Sequence, residues 1–220
     1  MTGLRPKKNI HLSNKVFYSE TANKKEKKIP ESFAHHLKRN GYVTIGIGKL
    51  SHSVDGLVYG YEEKPSKVKE MPHSWNRFIF NPGKWGNGWN AFFGYSSGEN
   101  RQSLKNKVKP YESSEVLDTG YPDGLILKSA IKELNKLKNT EKPFLLGVGF
   151  FKPHLPFNSP KKYWDLYDQD SILTASDPFI PKNVDKKSLG SMGEFHNYQL
   201  SDETPTFDKP ISNKYAKKLI

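Results

Sequence analysis

Residues 121–157 read YPDGLILKSAIKELNKLKNTEKPFLLGVGFFKPHLPF, and the order of patterns inside them decides the fold. Asp123 suits a helix start. Leu127, Ala130, Ile131, Leu134 and Leu137 then mark one helical face, with Lys and Glu on the other. Asn139 and Thr140 make the exit. Pro143 introduces FLLGVGFF at 144–151, apolar enough for a central strand covered on both faces. A second unit of the same kind comes earlier, in FAHHLKRNGYVTIGIGKLSH at 33–52. Pro30 suits a first helical turn, Phe33 and Leu37 stand four apart, and Gly41 is a good C-terminal stop. VTIGIG at 43–48 follows as a short buried strand. Each unit is a helix, then a strand, then a Lys and a His just past the strand: Lys49 and His52 after the first, Lys152 and His154 after the second. In open α/β sheets ligands sit beyond the carboxyl ends of the strands. An α/β class with helices flanking a sheet is therefore predicted, with its site at those two exits.

The rest of the chain is less regular. NKKEKK at 23–28 reads as a charged connector, and 51–114, rich in Gly, Trp, Tyr and Pro, as an irregular excursion with short strands at most. A short helix is expected in SPKKYWDLYD at 159–168, loop over 174–212, and the beginning of a helix at 213–220. The loop 175–208 is expected to cover part of the pocket mouth. At 220 residues a real core is possible, and an aromatic content of 13% with Gly and Pro spread throughout argues for a loop-rich globular chain. No apolar run is long enough for a transmembrane helix. The first residues have no apolar stretch behind a basic one, so no signal peptide is expected in them. With no cysteine, a disulfide framework, thiolate zinc sites and a cysteine nucleophile in this polypeptide are excluded.

The net charge of +12 suggests an anionic partner, but only four of the 35 basic residues are Arg. Nucleic-acid readers lean on Arg for bidentate contacts, so nucleic acid is not expected. A solvated lysine surface or a sulfated or phosphorylated ligand fits better.

Individual residues narrow the chemistry. A Lys49 ammonium past a strand end can neutralise an anion, and the His52 imidazole can donate to it or exchange a proton. His154 lies between Pro153 and Pro156, which stiffen its loop. Phe150, Phe151 and Phe157 would give it a partly apolar setting that favours the neutral ring. Lys152 can help attract the anion. Trp85 and Trp89 either wall a sugar subsite or pack a loop core. His11, His35, His36, His73 and His196 show no metal spacing, so no metal site is expected in this chain. There is no phosphate-cradling loop, and GYSSG at 94–98 lacks the strand and helix that a nucleophile elbow needs.

Taken together, these segments resemble the type I sulfatase family, and within it the iduronate-2-sulfatase-like branch. MTGLRP at 1–6 is similar to the end of the family signature, with Thr2 and Gly3 as its last two residues. The segment 33–52 resembles the family's helix, NGY-x-T strand and GK-x-x-H exit. YPDG at 121–124, the helix after it and PFLLGVGFFKPHLPF at 143–157 resemble the next helix, strand and KPHxPF loop. ISNKYAKKLI at 211–220 resembles the start of the following helix.

The resemblance implies an alkaline-phosphatase-like α/β fold with a mixed sheet flanked by helices, here incomplete. It implies hydrolysis of a sulfate ester on a sugar or polysaccharide, using a formylglycine hydrate beside Ca2+. Lys49 would contact the sulfate and the formylglycine. His52 would bond the formylglycine hydroxyl and help eject sulfate, and His154 would bind sulfate or protonate the leaving oxygen. Members are commonly secreted, periplasmic or lysosomal. None of the four arginines has the Cys or Ser and the Pro of the nucleophile motif before it. The family's two metal-ligand pairs and its downstream sulfate-clamping lysine are not found either; SDET at 201–204 does not supply one. Residues 1–220 are thus expected to be the central part of a sulfatase catalytic domain, inactive alone and partnered by the remainder of that domain. The alternative is a non-catalytic basic module that binds sulfated glycans or other polyanions.

Overall fold

The computed structural model describes residues 1–3, 5–7, 9–14, 31–190, 193–206 and 209–220. The connector 23–28, Pro30, Leu4 of the 1–6 motif and the end of the 175–208 loop lie outside the described residues. The chain divides into two compact units, Met1–Phe92 with Pro122–Phe151, and Phe93–Tyr121 with Lys152–Ile220.

The first unit contains both helix-then-strand patterns. Helix α1, Phe33–Arg39, starts at Ser32, whose hydroxyl accepts from the His35 N–H at 3.0 Å. It stops where Gly41 takes φ +91°, a left-handed conformation that costs glycine little. Strand β1, Val43–Gly48, follows, buried for all but its first residue. It is the middle strand of a three-stranded sheet. Parallel neighbours are β2, Arg77–Ile79, and β4, Phe144–Gly149, in the order β2-β1-β4. Thr44 sews the sheet to the loop before β2: its hydroxyl donates to the Ser74 carbonyl at 2.9 Å and accepts from the Asn76 N–H at 3.2 Å.

Two expectations are corrected. The 144–151 run does not make a central strand. β4 lies at the sheet edge, half-buried, because among the described residues only β1 pairs with it. The helix before it, α3 (Pro122–Leu137), which follows the short helix α2 (Gly88–Phe92) in the chain, turns a different face inward. Ile126, Ala130, Glu133 and Leu137 are buried, while Leu127, Ile131 and Leu134 are 42–52% exposed. Glu133 is tolerated inside because Arg77 and Lys136 hold its two oxygens at 2.6 and 2.5 Å. Asp123 sits in the first helical turn, and its carboxylate also accepts from the Phe151 N–H at 2.8 Å. It thereby ties the helix start to the exit of β4.

The second unit holds a separate parallel pair, β3 (Tyr111–Ser114) with β5 (Phe157–Pro160). Its helices are α4, Lys161–Trp164, and α5, Asn213–Leu219, which Ser212 caps. The described residues of 174–212 are loop with short 3-10 turns, as expected. All pairings between the named strands are parallel; antiparallel contacts occur as the isolated bridges Leu57–Lys69 and Gly94–Asn100. No described helix is long and apolar enough to cross a membrane.

The exits of β1 and β4 touch. Gly48 and Gly149 are register partners, and the Lys49 N–H donates to the Gly149 carbonyl at 2.9 Å. A Cβ on Gly149 would stand 1.8 Å from the Lys49 oxygen. Gly149→Ala is therefore expected to destabilise the protein by about 3 kcal/mol, read as a lowered urea midpoint with loss of hydrogen-exchange protection at Lys49. An unchanged midpoint would show that this approach is not a tight constraint.

Candidate active site

In the first unit, Lys49 and His52 stand on aromatic rings supplied by helix α2. Trp89 and Phe92 meet edge to face at 5.7 Å, and Phe92 meets Phe151 at 5.0 Å in the same manner. The Lys49 ammonium lies 6.0 Å from the Phe92 ring centre, and the His52 ring meets Trp89 at 5.9 Å. Tyr59 fixes this platform. Its carbonyl accepts from the Trp89 indole N–H at 2.9 Å, and its hydroxyl accepts from the Gly88 N–H at 3.1 Å and donates to Asp55 at 2.6 Å. Burial pushes the Tyr59 phenol well above its usual range, reinforced by the Asp55 carboxylate. The tyrosine thus stays a neutral donor.

The Lys49 ammonium donates to the Ser51 carbonyl at 2.7 Å. Partial burial pulls its pKa below the ordinary lysine value, and the Glu70 carboxylate opposes that shift. Asn14 approaches the His52 Nε2 at 3.4 Å. Trp85 and Trp89 are 4% and 8% exposed, and Lys84 covers the Trp85 ring at 5.0 Å. They belong to the loop core; neither offers an open face for a sugar, and the subsite reading is corrected accordingly.

In the second unit, His154 is flanked by cis peptide bonds at Lys152-Pro153 and Leu155-Pro156. Its Nδ1 lies 2.7 Å from the Leu155 carbonyl and its Nε2 3.2 Å from the Glu194 carboxylate. A carbonyl can only accept, so Nδ1 carries a hydrogen and Nε2 is the nitrogen turned toward other partners. Glu194 is the neighbour that an apolar reading of this loop leaves out. Its other oxygen lies 3.3 Å from Arg101 Nη1, and Arg101 is buried with its guanidinium 3.8 Å from the Phe93 ring and 5.2 Å from that of Tyr198. The His154 ring meets the same Phe93 edge-on at 6.1 Å. Burial pushes the Glu194 carboxyl upward, but the hydrogen bond and charge of His154 and the charge of Arg101 outweigh it and hold the pKa below its ordinary value of 4.5. Lys152 donates to the His154 carbonyl at 3.2 Å. It also borders a cleft of about 350 Å3 with Tyr163, Trp164, Tyr167 and Lys217.

Sequence reasoning missed Glu70, Arg101, Glu194 and the α2 platform. No spacing motif marks them, since each reaches its partner through a loop. Among the described residues no cluster of His, Asp or Glu is suited to a metal ion, and the chain has no cysteine. The described residues thus offer no donor set that fits the Ca2+ the resemblance implies.

The chain belongs to the sulfatase family: the model of the Sulfatase family matches residues 1–206. That family is alkaline-phosphatase-like, and the small parallel sheets flanked by helices are an incomplete form of its fold. The chain is 30% identical over 151 residues to iduronate 2-sulfatase of Mus musculus and 32% identical over 151 residues to that of Homo sapiens, covering 68% of this chain and 25% of each relative. It is 31% identical over 189 residues to a sulfatase of Formosa agariphila, covering 79% of this chain and 32% of that protein. The chain thus spans between a quarter and a third of the length of these relatives.

Because the folded pKa of Glu194 is depressed, its ion pairs stabilise the fold above pH 4.5 and are lost as pH falls through that lower value. Glu194→Gln should therefore lower the thermal midpoint at pH 7, with the difference from the parent shrinking as pH drops below 4.5. A pH-independent difference would mean that Glu194 acts through packing alone.

Proposed function

We propose that this chain carries the sulfate-binding and proton-donating side of a sulfuric ester hydrolase acting on a sulfated sugar or polysaccharide, in the manner of an iduronate-2-sulfatase. The observation that carries this is the end-to-end register of β1 and β4 at Gly48 and Gly149. Parallel neighbours that end together release their loops from one sheet edge. One loop bears Lys49 and His52, and His154 follows the other a few residues on. Lys49 supplies positive charge for the peripheral sulfate oxygens, where a preorganised cation is worth most. As the S–O bond breaks, the sugar oxygen gains negative charge, and His154, doubly protonated with Nδ1–H on the Leu155 carbonyl and Nε2 beside Glu194, would give up its Nε2 proton to that oxygen and be left neutral. His52, held against Trp89, would add a second donor beside Lys49. Lys152, at the mouth of its aromatic and lysine-lined cleft, meets further anionic groups of the sugar chain.

The nucleophile and calcium belong, on this reading, to the remainder of the catalytic domain. The open edge of β4 and the exposed Leu127, Ile131 and Leu134 of α3 are the surfaces that this remainder would cover.

Two measurements test the reading. The chain with an aryl sulfate and Ca2+ is expected to give no turnover above a His154→Ala control; turnover above that control overturns the assignment of the nucleophile to missing polypeptide. Binding to a sulfated glycan should be lost in Lys49→Ala/His154→Ala and kept in Lys132→Ala/Lys138→Ala, whose lysines are exposed on or just beyond α3. Equal affinity of both variants for any polyanion, with a steep salt dependence, would replace the sulfate site by a diffuse basic surface. On the apolar face, Ile131→Glu/Leu134→Glu should raise soluble yield with the helical circular-dichroism signal intact. Loss of that signal would place both residues in this chain's own core.

A further inference from the structure

After β1 the chain makes a long excursion and comes back. The Val58 N–H donates to the Val68 carbonyl and the Glu70 N–H to the Gly56 carbonyl, both at 2.8 Å, around the bridge Leu57–Lys69. This return delivers Glu70, 4% exposed, to the turn 49–53. The Ser51 hydroxyl donates to one carboxylate oxygen, and the Ser53 N–H approaches the other at 3.4 Å. Ser51 is the residue whose carbonyl holds the Lys49 ammonium. A carboxylate this deeply buried costs stability unless hydrogen bonds and charge offset it. Here the offset comes from the turn that carries Lys49 and His52.

We infer that Glu70 is a positioning residue for Lys49: its buried carboxylate grips the 49–53 turn at Ser51 and Ser53, and through the Ser51 carbonyl it fixes where the Lys49 ammonium stands. The value of that position for catalysis rests on Lys49 binding sulfate, as proposed above; the grip itself does not. The electrostatics agree with the geometry. Burial raises the Glu70 pKa, while the two serine contacts and the Lys49 charge pull it back and the Asp55 carboxylate adds to the rise. Glu70 in turn is the charge that counters the effect of burial on Lys49. The other groups close to this turn are the His52 ring in the turn itself, the Phe92 ring under Lys49, and Asp55, which is occupied by Tyr59.

The test is an NMR titration of the lysine side chains in the full chain, with the Lys49 signal assigned by its loss in Lys49→Arg. In Glu70→Gln, which keeps size and an acceptor but removes the charge, the Lys49 ammonium should lose its proton at lower pH than in the parent. Glu70→Asp, with its charge retained, should lie between them. An unchanged Lys49 midpoint in a folded Glu70→Gln overturns the inference. Should Glu70→Gln fail to fold, Ser51→Ala keeps the charge and removes its anchor. Faster hydrogen exchange of amides 51–53 supports the grip, and unchanged exchange overturns it. Neither readout requires turnover or sulfate binding. A parent chain that binds no sulfated ligand therefore defeats the proposed function while the Lys49 titration still decides the role of Glu70.

Discussion

The parallel pairing of β1 with β4 is the constraint on which the first unit depends. Six residue pairs run in register from Val43↔Phe144 to Gly48↔Gly149 without a bulge. Each strand then leaves the sheet at the same level, and the last pair is glycine against glycine. Side chains there would hold the exits apart: a Cβ on Gly48 would meet the Gly149 oxygen at 2.2 Å. Because both are glycine, the Lys49 backbone can bond to Gly149, and Asp123 can draw in the amide of Phe151. Helix α3, strand β4 and the Lys49 turn are thereby fastened at one edge. A lysine held by backbone on one side and by an aromatic ring on the other has few rotamers left.

Much of this was legible in the sequence because it is local. Phe33, Leu37, Gly41 and the VTIGIG run specify a helix, a stop and a strand within a few residues of each other, and the structure contains them, with Ser32 rather than Pro30 at the helix start. The face of α3 was not legible. Leu127, Ile131 and Leu134 share one stripe, while Ile126, Ala130 and Leu137 lie on an adjoining one. Periodicity reports that the helix has a broad apolar arc; it does not report which part meets the sheet. Glu133 hides the answer further, since a glutamate inside the buried stripe reads as solvent-facing until Arg77 is brought against it from another strand. The edge position of β4 failed for a related reason. FLLGVG carries the composition of a strand buried on both sides, but composition does not report how many neighbours a strand pairs with, and among the described residues β4 has one.

The candidate site divides along the same line. Lys49, His52, Lys152 and His154 could be picked out as candidates because each follows a strand. Glu70, Arg101 and Glu194 could not, because a loop brings each to its partner. Trp85 and Trp89 show the opposite error. Tryptophans in a loop suggest a sugar platform, yet here they are the loop's own core, and Trp89 contributes by holding its edge against His52.

The two carboxylates change how the net charge of +12 is to be understood. Most of that charge is exposed lysine, long-ranged and easily screened by salt. The candidate groups of each unit are different: in the first, Lys49 acts under the field of Glu70, and in the second, Glu194 lies against both His154 and Arg101. An anion arriving at His154 Nε2 meets a nitrogen already facing a carboxylate and must share or displace it. An internal anion of this kind lowers affinity for any single negative charge, while a group offering several acceptor oxygens can satisfy the imidazole and reach neighbouring donors together. Two kinds of charge are therefore present: exposed lysines that give a diffuse, salt-sensitive positive field, and buried or half-buried carboxylates that counter particular cations at short range.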